Sequence, residues 1–378
     1  MKKLLSALLC FCVALVSVFV AKANESAGAP KVSAEAFVLY CADNGQVICA
    51  ENEHKKMKPA STTKLMTTLI ALEESAALNR QVTFKQDMIA EGSSMYLKVG
   101  DRLTLSDLAA GMMMASGNDA ANAAALTISG STQKFANRMN ERARQIGMKN
   151  THFVTPSGLD DEEHYSTAYD MALLMSYALE NDDFAKLTSQ KNTTVNFINP
   201  ASKKTTYSNH NRLLSLYKYC IGGKTGYTMA AGRCLVSAAK KDGLTLVCVT
   251  LNDRNDWNDH ISLYDYGFDK YAYYQPQDER FCVDIPCVGG TSDKVAVMGE
   301  KSQGFVVKAE DKSKIERRVC VDSFLYAPIF QNEVVGKVNY MLGKKTVFST
   351  NLLAVNAVDL IKENKNIFDK IKEFFTYG

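Results

Sequence analysis

The chain has 378 residues, 46% of them hydrophobic, with 44 basic and 41 acidic side chains. That length suits one large domain or two smaller ones, and the apolar content supports a packed core, which excludes wholesale disorder. Lys2, Lys3 and Lys22 are the only charges before residue 24 and leave 41 of each sign beyond it, so the balanced body carries no nucleic-acid footprint.

In chain order, residues 1–23 read as an export signal. Lys2 and Lys3 precede an apolar run from Leu4 to Ala21, and Ala21-Lys22-Ala23 is an A-x-A cleavage pattern that puts Asn24 at the mature N-terminus. The run is also just long enough to span a bilayer uncleaved. In both cases the rest of the chain lies outside the cytoplasm, at the outer face of the membrane or in the cell-wall space. Eight cysteines follow the signal: Cys41, Cys49, Cys220, Cys234, Cys248, Cys282, Cys287 and Cys320. An even count permits disulfides in an exported protein. Cys234 and Cys248 sit in apolar strand-like runs, however, and free structural thiols are the expectation.

Apolar alternation from about 32 to 47, with an Asn44-Gly45 turn, predicts an opening hairpin. Residues from about 59 to 190 are rich in helix formers, and Leu65, Leu69 and Leu72 fall on one helical face. Between about 220 and 252 the period changes to two. The strand-like runs there flank Asp242-Gly243, a tight hairpin signal. The pattern predicts helices packed on an antiparallel sheet whose strands come from both ends of one domain, residues 24–275. Short β-rich runs such as Val295-Ala296-Val297 and Gly304-Phe305-Val306-Val307 predict a small all-β domain over 276–350. In the remaining tail, 351–378, Ile367, Phe368, Ile371, Phe374 and Phe375 share a helical face, with Lys365, Lys370 and Lys372 on or beside the polar one. Such a helix lies in a membrane interface or packs on its own domain, and periodicity does not separate the two.

Four S-x-x-K matches occur: Ser61–Lys64, Ser131–Lys134, Ser215–Lys218 and Ser237–Lys240. Only Ser61 follows Pro59-Ala60 and opens an apolar helical run. In a first helical turn, side chains at i and i+3 share a face, which brings the Lys64 amine to the Ser61 hydroxyl, and the helix N-terminus favours an oxyanion above it. Lys64 can act as a base only if burial or a second cation lowers its pKa by several units. Lys224, in Lys224-Thr225-Gly226, is the expected second cation, able also to attract a substrate carboxylate to which Thr225 donates. Gly222 and Gly223 before it would let a ligand approach the strand. In Ser116-Gly117-Asn118, Ser116 could relay a proton between Lys64 and a leaving amine, and the Asn118 amide could hold Lys64 and the substrate backbone. The five histidines are scattered and expected to be structural; no H-E-x-x-H or phosphate-loop glycine pattern is present, and no metal or cofactor is expected.

The ordered triple is the one found in class A β-lactamases and penicillin-binding proteins, with Asp as their usual middle residue in the second motif. With Pro156-Ser157-Gly158-Leu159-Asp160, His164-Tyr165-Ser166-Thr167-Ala168, Gly223-Lys224-Thr225-Gly226-Tyr227-Thr228 and Ala327-Pro328-Ile329, nearly the whole mature chain resembles the serine D-alanyl-D-alanine carboxypeptidases, the low-molecular-mass penicillin-binding proteins. The resemblance implies an α/β (α+β) penicillin-binding/serine β-lactamase-like domain, a C-terminal β-sandwich and a tail helix that touches the membrane surface. It implies Ser61 as nucleophile, Lys64 as base, Ser116 and Asn118 as assistants, and Lys224, Thr225, Gly226 and Tyr227 as the substrate-binding strand. The backbone N–H groups of Ser61 and Tyr227 would form the oxyanion hole. The implied partners are peptidoglycan stem peptides ending in D-Ala-D-Ala and β-lactams that acylate the same serine. A β-lactamase or a non-catalytic penicillin sensor or wall-binding module are the alternatives. Some family members carry an arginine upstream of Lys-Thr-Gly to help with the carboxylate; His210, with Arg212 beside it, stands near that position here.

Overall fold

The opening alternation forms β1 (Ala36–Cys41), which turns through Asn44-Gly45 into β2 (Gln46–Glu51). These positions belong to a computed structural model that describes residues 28–361; the expected export signal and the expected apolar face at 367–375 lie outside the described residues. A 3-10 turn, Ala60–Thr63, opens α1 (Lys64–Ala77), whose Leu65, Leu69 and Leu72 face the core. A short ribbon, β3 (Gln81–Thr83) with β4 (Arg102–Thr104), brackets a long loop. It is followed by α2 (Leu105–Met114), α3 (Asn118–Ser129) and α4 (Thr132–Ile146). Then come α5 (Ala168–Ala178), α6 (Asp182–Ser189), a second ribbon of β5 (Asn192–Asn196) and β6 (Lys204–Ser208), and the single turn α7 (Leu213–Leu216). Three long strands complete the domain, β7 (Cys220–Thr228), β8 (Gly232–Lys241) and β9 (Leu244–Leu251), followed by α8 (Asp256–Lys270).

The sheet is antiparallel in the order β2-β1-β9-β8-β7, so the first strand of the chain lies beside the last of the domain. Every residue of β1 is buried. Alternate residues feed two cores: Val38, Val236 and Val249 pack with α1, α2 and α5, while Leu39, Leu235 and Cys248 pack with Leu263 and Tyr264 of α8. Burial on both faces explains why these strands read as near-continuous apolar runs. Asp242 and Gly243 adopt positive φ values of 49° and 92° in the β8–β9 turn, as a two-residue hairpin requires. β7 forms one edge of the sheet and β2 the other.

The second domain is β-rich. It contains β10 (Tyr271–Tyr274), β11 (Cys282–Val288), β12 (Lys294–Gly299), β13 (Phe305–Lys308), β14 (Ile315–Val321), β15 (Leu325–Tyr326), β16 (Val334–Leu342) and β17 (Lys345–Ala354). Six strands form one sheet, β14-β16-β17-β12-β11-β15, and β10 pairs with β13. Aromatic rings join ribbon to sheet: Phe305 stacks on Phe348 at 4.7 Å and Tyr274 meets Tyr340 at 5.4 Å. Buried Asp278 accepts from Arg317 Nε and Tyr340 OH at 2.8 Å and from Thr350 Oγ1 at 2.5 Å. The sequence boundary at 350 needs correction. Asn351–Ala354 is the end of β17, and Val358 and Leu360 still bridge to Ile329 and Gly290, so the β domain continues to about residue 360. The apolar residues at 351–354 belong to a strand registered against β16 and β12, not to a tail helix. All eight cysteines are unpaired, with Cys234 and Cys248 buried.

Candidate active site

Ser61 lies in the 3-10 turn and keeps a partly exposed side chain, whereas Lys64 begins α1 and is completely buried. The Lys64 Nζ stands 2.8 Å from Ser61 Oγ and donates to the Ser157 carbonyl at 2.7 Å. Burial, then the charge on Lys224, pushes the Lys64 pKa far below that of an ordinary lysine, partly offset by Asp119. A neutral amine with one hydrogen committed to Ser157 O has its lone pair free for the Ser61 hydroxyl.

The contact to Ser157 is absent from the sequence reading, which gave Lys64 to the Asn118 amide. Asn118 is buried, but its Nδ2 donates to the Glu91 carbonyl at 2.6 Å, and its Oδ1 has no hydrogen-bond partner. The loop carrying Ser157 is fixed to α1 by Thr67 Oγ1, which donates to Pro156 O at 2.6 Å. His164 fixes the same region. Its Nδ1 accepts from Val154 N and Thr155 N at 3.0 and 3.2 Å, which leaves the proton on Nε2 for Thr63 Oγ1 at 2.9 Å. Burial lowers the His164 pKa to about 4, so it is a neutral structural ring, as expected of the histidines.

Ser116 sits at the α2–α3 junction in a left-handed conformation, φ 54°. Its hydroxyl accepts from Lys224 Nζ at 2.9 Å rather than meeting Lys64; Lys224 also donates to Thr225 O at 2.7 Å. Burial brings the Lys224 pKa down to about 7. The site therefore holds two serine–lysine pairs, Ser61–Lys64 and Ser116–Lys224. Next to them stands Asp119, the residue that follows Ser116-Gly117-Asn118. It accepts from Ser94 Oγ at 2.6 Å, from Met95 N at 2.9 Å and from Leu97 N at 3.1 Å, and so straps that loop to the first turn of α3.

β7 brings Lys224, Thr225, Gly226 and Tyr227 past the nucleophile. A Cβ at Gly226 would lie 3.0 Å from Pro59 O, Ser61 N and Thr62 N, so glycine lets the strand pass against the Ser61 turn. Gly222 and Gly223 serve a different purpose from the one predicted. What crowds them is Thr188 of α6 and the backbone of β8, with Gly223 N donating to Thr188 Oγ1 at 2.8 Å, so they admit a helix rather than a ligand. Thr225 is half-buried and Tyr227 exposed. His210 is close enough to Lys224 that, after burial, this cation lowers its pKa; Arg212 is exposed. The other S-x-x-K serines are elsewhere. Ser131 caps α4, Ser215 lies in α7, and Ser237 is buried between His260 and Tyr264.

A serine hydroxyl bonded to a buried lysine, with no histidine or carboxylate among the described residues bonded to it, is an arrangement suited to acyl transfer. Comparison with known proteins agrees. Residues 23–255 match the family model described as D-alanyl-D-alanine carboxypeptidase, and residues 272–360 match the penicillin-binding protein 5 C-terminal domain. The chain is 30% identical to D-alanyl-D-alanine carboxypeptidase DacF of Bacillus subtilis over 353 residues, 89% of each protein. It is 30% identical to DacC of Escherichia coli over 371 residues, 93% of this chain and 90% of that one. Its structure resembles penicillin-binding protein 5 from Haemophilus influenzae with a TM-score of 0.68 at 28% identity, covering 88% of this chain and 99% of that one. The chain belongs to the D-alanyl-D-alanine carboxypeptidase family. It is a serine-type, penicillin-binding carboxypeptidase, and that reading stands over the β-lactamase and non-catalytic alternatives.

Proposed function

We propose that Ser61 is the nucleophile and that the enzyme removes the terminal D-alanine from peptidoglycan stem pentapeptides through an acyl-enzyme. The observation that carries this is the 2.8 Å approach of a wholly buried Lys64 amine to Ser61 Oγ. Lys64, kept neutral, takes the hydroxyl proton as Ser61 attacks the carbonyl between the two D-alanines. The developing oxyanion is received by the backbone N–H groups of Ser61 and Tyr227; Ser61 N lies 3.0 Å from where a Cβ of Gly226, the residue before Tyr227, would stand. The Ser116 hydroxyl, held by Lys224, protonates the departing D-alanine amine and is reprotonated by the proton that Lys64 took from Ser61, so that Lys64 is neutral again. Lys64 then activates water for hydrolysis. Lys224 and Thr225 bind the terminal carboxylate, with His210 on the same side as Lys224. Carboxylate binding stabilises the ammonium form of Lys224, which holds Lys64 neutral more firmly. The free Oδ1 of Asn118 is the acceptor for a substrate backbone N–H.

A β-lactam presents the same carbonyl and carboxylate and acylates Ser61. Residues 1–23 direct export to the cell-wall space, residues from 24 to about 270 form the catalytic domain, and the tail after residue 361 lies in the membrane interface. The test is intact-protein mass after benzylpenicillin: the wild type gains one adduct and Ser61→Ala none. A wild type without an adduct, or an acylated variant, overturns the assignment.

A further inference from the structure

Edge strands of a sheet usually turn polar side chains to solvent. The segment 324–330 does the reverse. Phe324, Tyr326, Pro328 and Phe330 are exposed, while Leu325, Ala327 and Ile329 alternate with them towards the core. Tyr326 and Phe330 are each 69% exposed, and the rings of Phe324 and Tyr326 meet edge-on at 5.3 Å. Two further segments extend this face. Tyr326 is the register partner of Val288, also exposed, in the parallel β11–β15 pairing. Ile329 and Val358 exchange both backbone hydrogen bonds at 2.9 Å, and Ile361 N donates to Gly289 O at 2.8 Å. Leu360 and Ile361 are 53% and 56% exposed. The inward residues of the three segments, Cys287, Ile329 and Val358, fill the domain core, so the outer row has no core of its own to join.

We propose that this face is a second membrane-contact surface, dipping its aromatic row into the interfacial layer of a lipid bilayer. The proposal rests on the reading of the tail as an interfacial helix, and chain geometry ties the two together. The described chain ends on the patch at Ile361, and the first residue of the tail's apolar face, Ile367, follows six positions later. Six residues span at most about 20 Å, so a tail lying in the interface holds the patch beside the same bilayer. Tyr326 suits that layer, with an apolar ring and a hydroxyl that stays wet, and the apolar rings of Phe324 and Phe330 suit burial just beneath it. Asp322, Glu333 and Asp359 border the row. The contact is therefore driven by apolar burial rather than by attraction to anionic headgroups, and added salt leaves it unchanged.

The experiment uses the full mature chain with its single tryptophan, Trp257, replaced by Phe and a new tryptophan placed by Phe330→Trp or, separately, Phe374→Trp. Each protein is mixed with phosphatidylcholine vesicles carrying brominated acyl chains. Quenching at both positions supports the proposal and the tail reading. Quenching at 374 alone overturns the proposal and leaves the tail reading standing; at 330 alone it supports the patch and overturns the tail reading. No quenching at either position overturns both. A tryptophan at 330 that is already blue-shifted without vesicles and is not quenched by them is covered by the protein's own tail or by a second copy, which also overturns the proposal. In the otherwise native chain, Tyr326→Ser with Phe330→Ser weakens vesicle partition by about tenfold, from the apolar area removed; unchanged partition overturns it.

Discussion

The charge on Lys224 acts against protonation of Lys64, although each amine is bonded to a different serine and both are buried from water. In the proposed mechanism one cation thus has two tasks, to hold the substrate's carboxylate and to keep Lys64 uncharged. These two tasks can be separated by experiment.

Lys224→Met removes the cation and keeps much of the volume. The Lys64 pKa then rises towards its ordinary value, so the acid limb of the pH profile of kcat/KM for acylation moves to higher pH. KM for a peptide bearing a free carboxylate also rises. A variant with weaker substrate binding but an unmoved acid limb would show that burial alone sets the Lys64 pKa. Lys64→Ala, by contrast, lowers the acylation rate at every pH by about 10²–10⁴-fold, the usual contribution of a general base.

His164 makes stability depend on acid. Its folded pKa is about 4 against an ordinary 6.5, so between those values the unfolded chain binds a proton that the native protein does not. The stabilising contribution is complete above about pH 6.5 and is lost as pH falls towards 4, amounting to about 3 kcal/mol in all. His164→Asn flattens the urea-midpoint curve over that window, and an unchanged slope there counts against the assignment.

Asp119→Ala releases Ser94, Met95 and Leu97 together. The loss of buried, charge-assisted hydrogen bonds costs about 2 kcal/mol. Acylation slows as well, because the same loop supplies the Glu91 carbonyl that orients Asn118. Benzylpenicillin acylation kinetics alongside thermal unfolding separate the effects: a stability loss with an unchanged acylation rate would make the strap purely structural.

Asp278→Ala acts on the other domain. It leaves Arg317, Tyr340 and Thr350 facing an empty acceptor position and destabilises the β domain by about 3 kcal/mol. The acylation rate of Ser61 stays at the wild-type value, and limited proteolysis reports whether the loss is confined to residues beyond about 275.

How much of this was legible in the sequence follows the range of the interactions. Ser61 and Lys64 are three residues apart, across the 3-10 turn that opens α1, so spacing and the requirement for a second cation led to Lys224, and the hairpin at Asp242-Gly243 announced itself through turn chemistry. Ser157 was quoted only as part of a motif, because it reaches Lys64 through its carbonyl, which every residue possesses. Asp119 and His164 were opaque for another reason: their partners lie on segments that only the tertiary fold brings close, Ser94 to Leu97 for one and Thr63 for the other. Residues 351–354 failed at the boundary because a short apolar run fits the start of an amphipathic helix as well as the end of a strand, and pairing with β16 decides between them.

The Ser157 carbonyl has a consequence for genetics. A contact made by backbone cannot be deleted by exchanging the side chain that carries its name, so a scan of substitutions at position 157 would leave the base's second partner in place. Its importance would surface only at neighbours that aim the peptide plane, Pro156 and Thr67 among them.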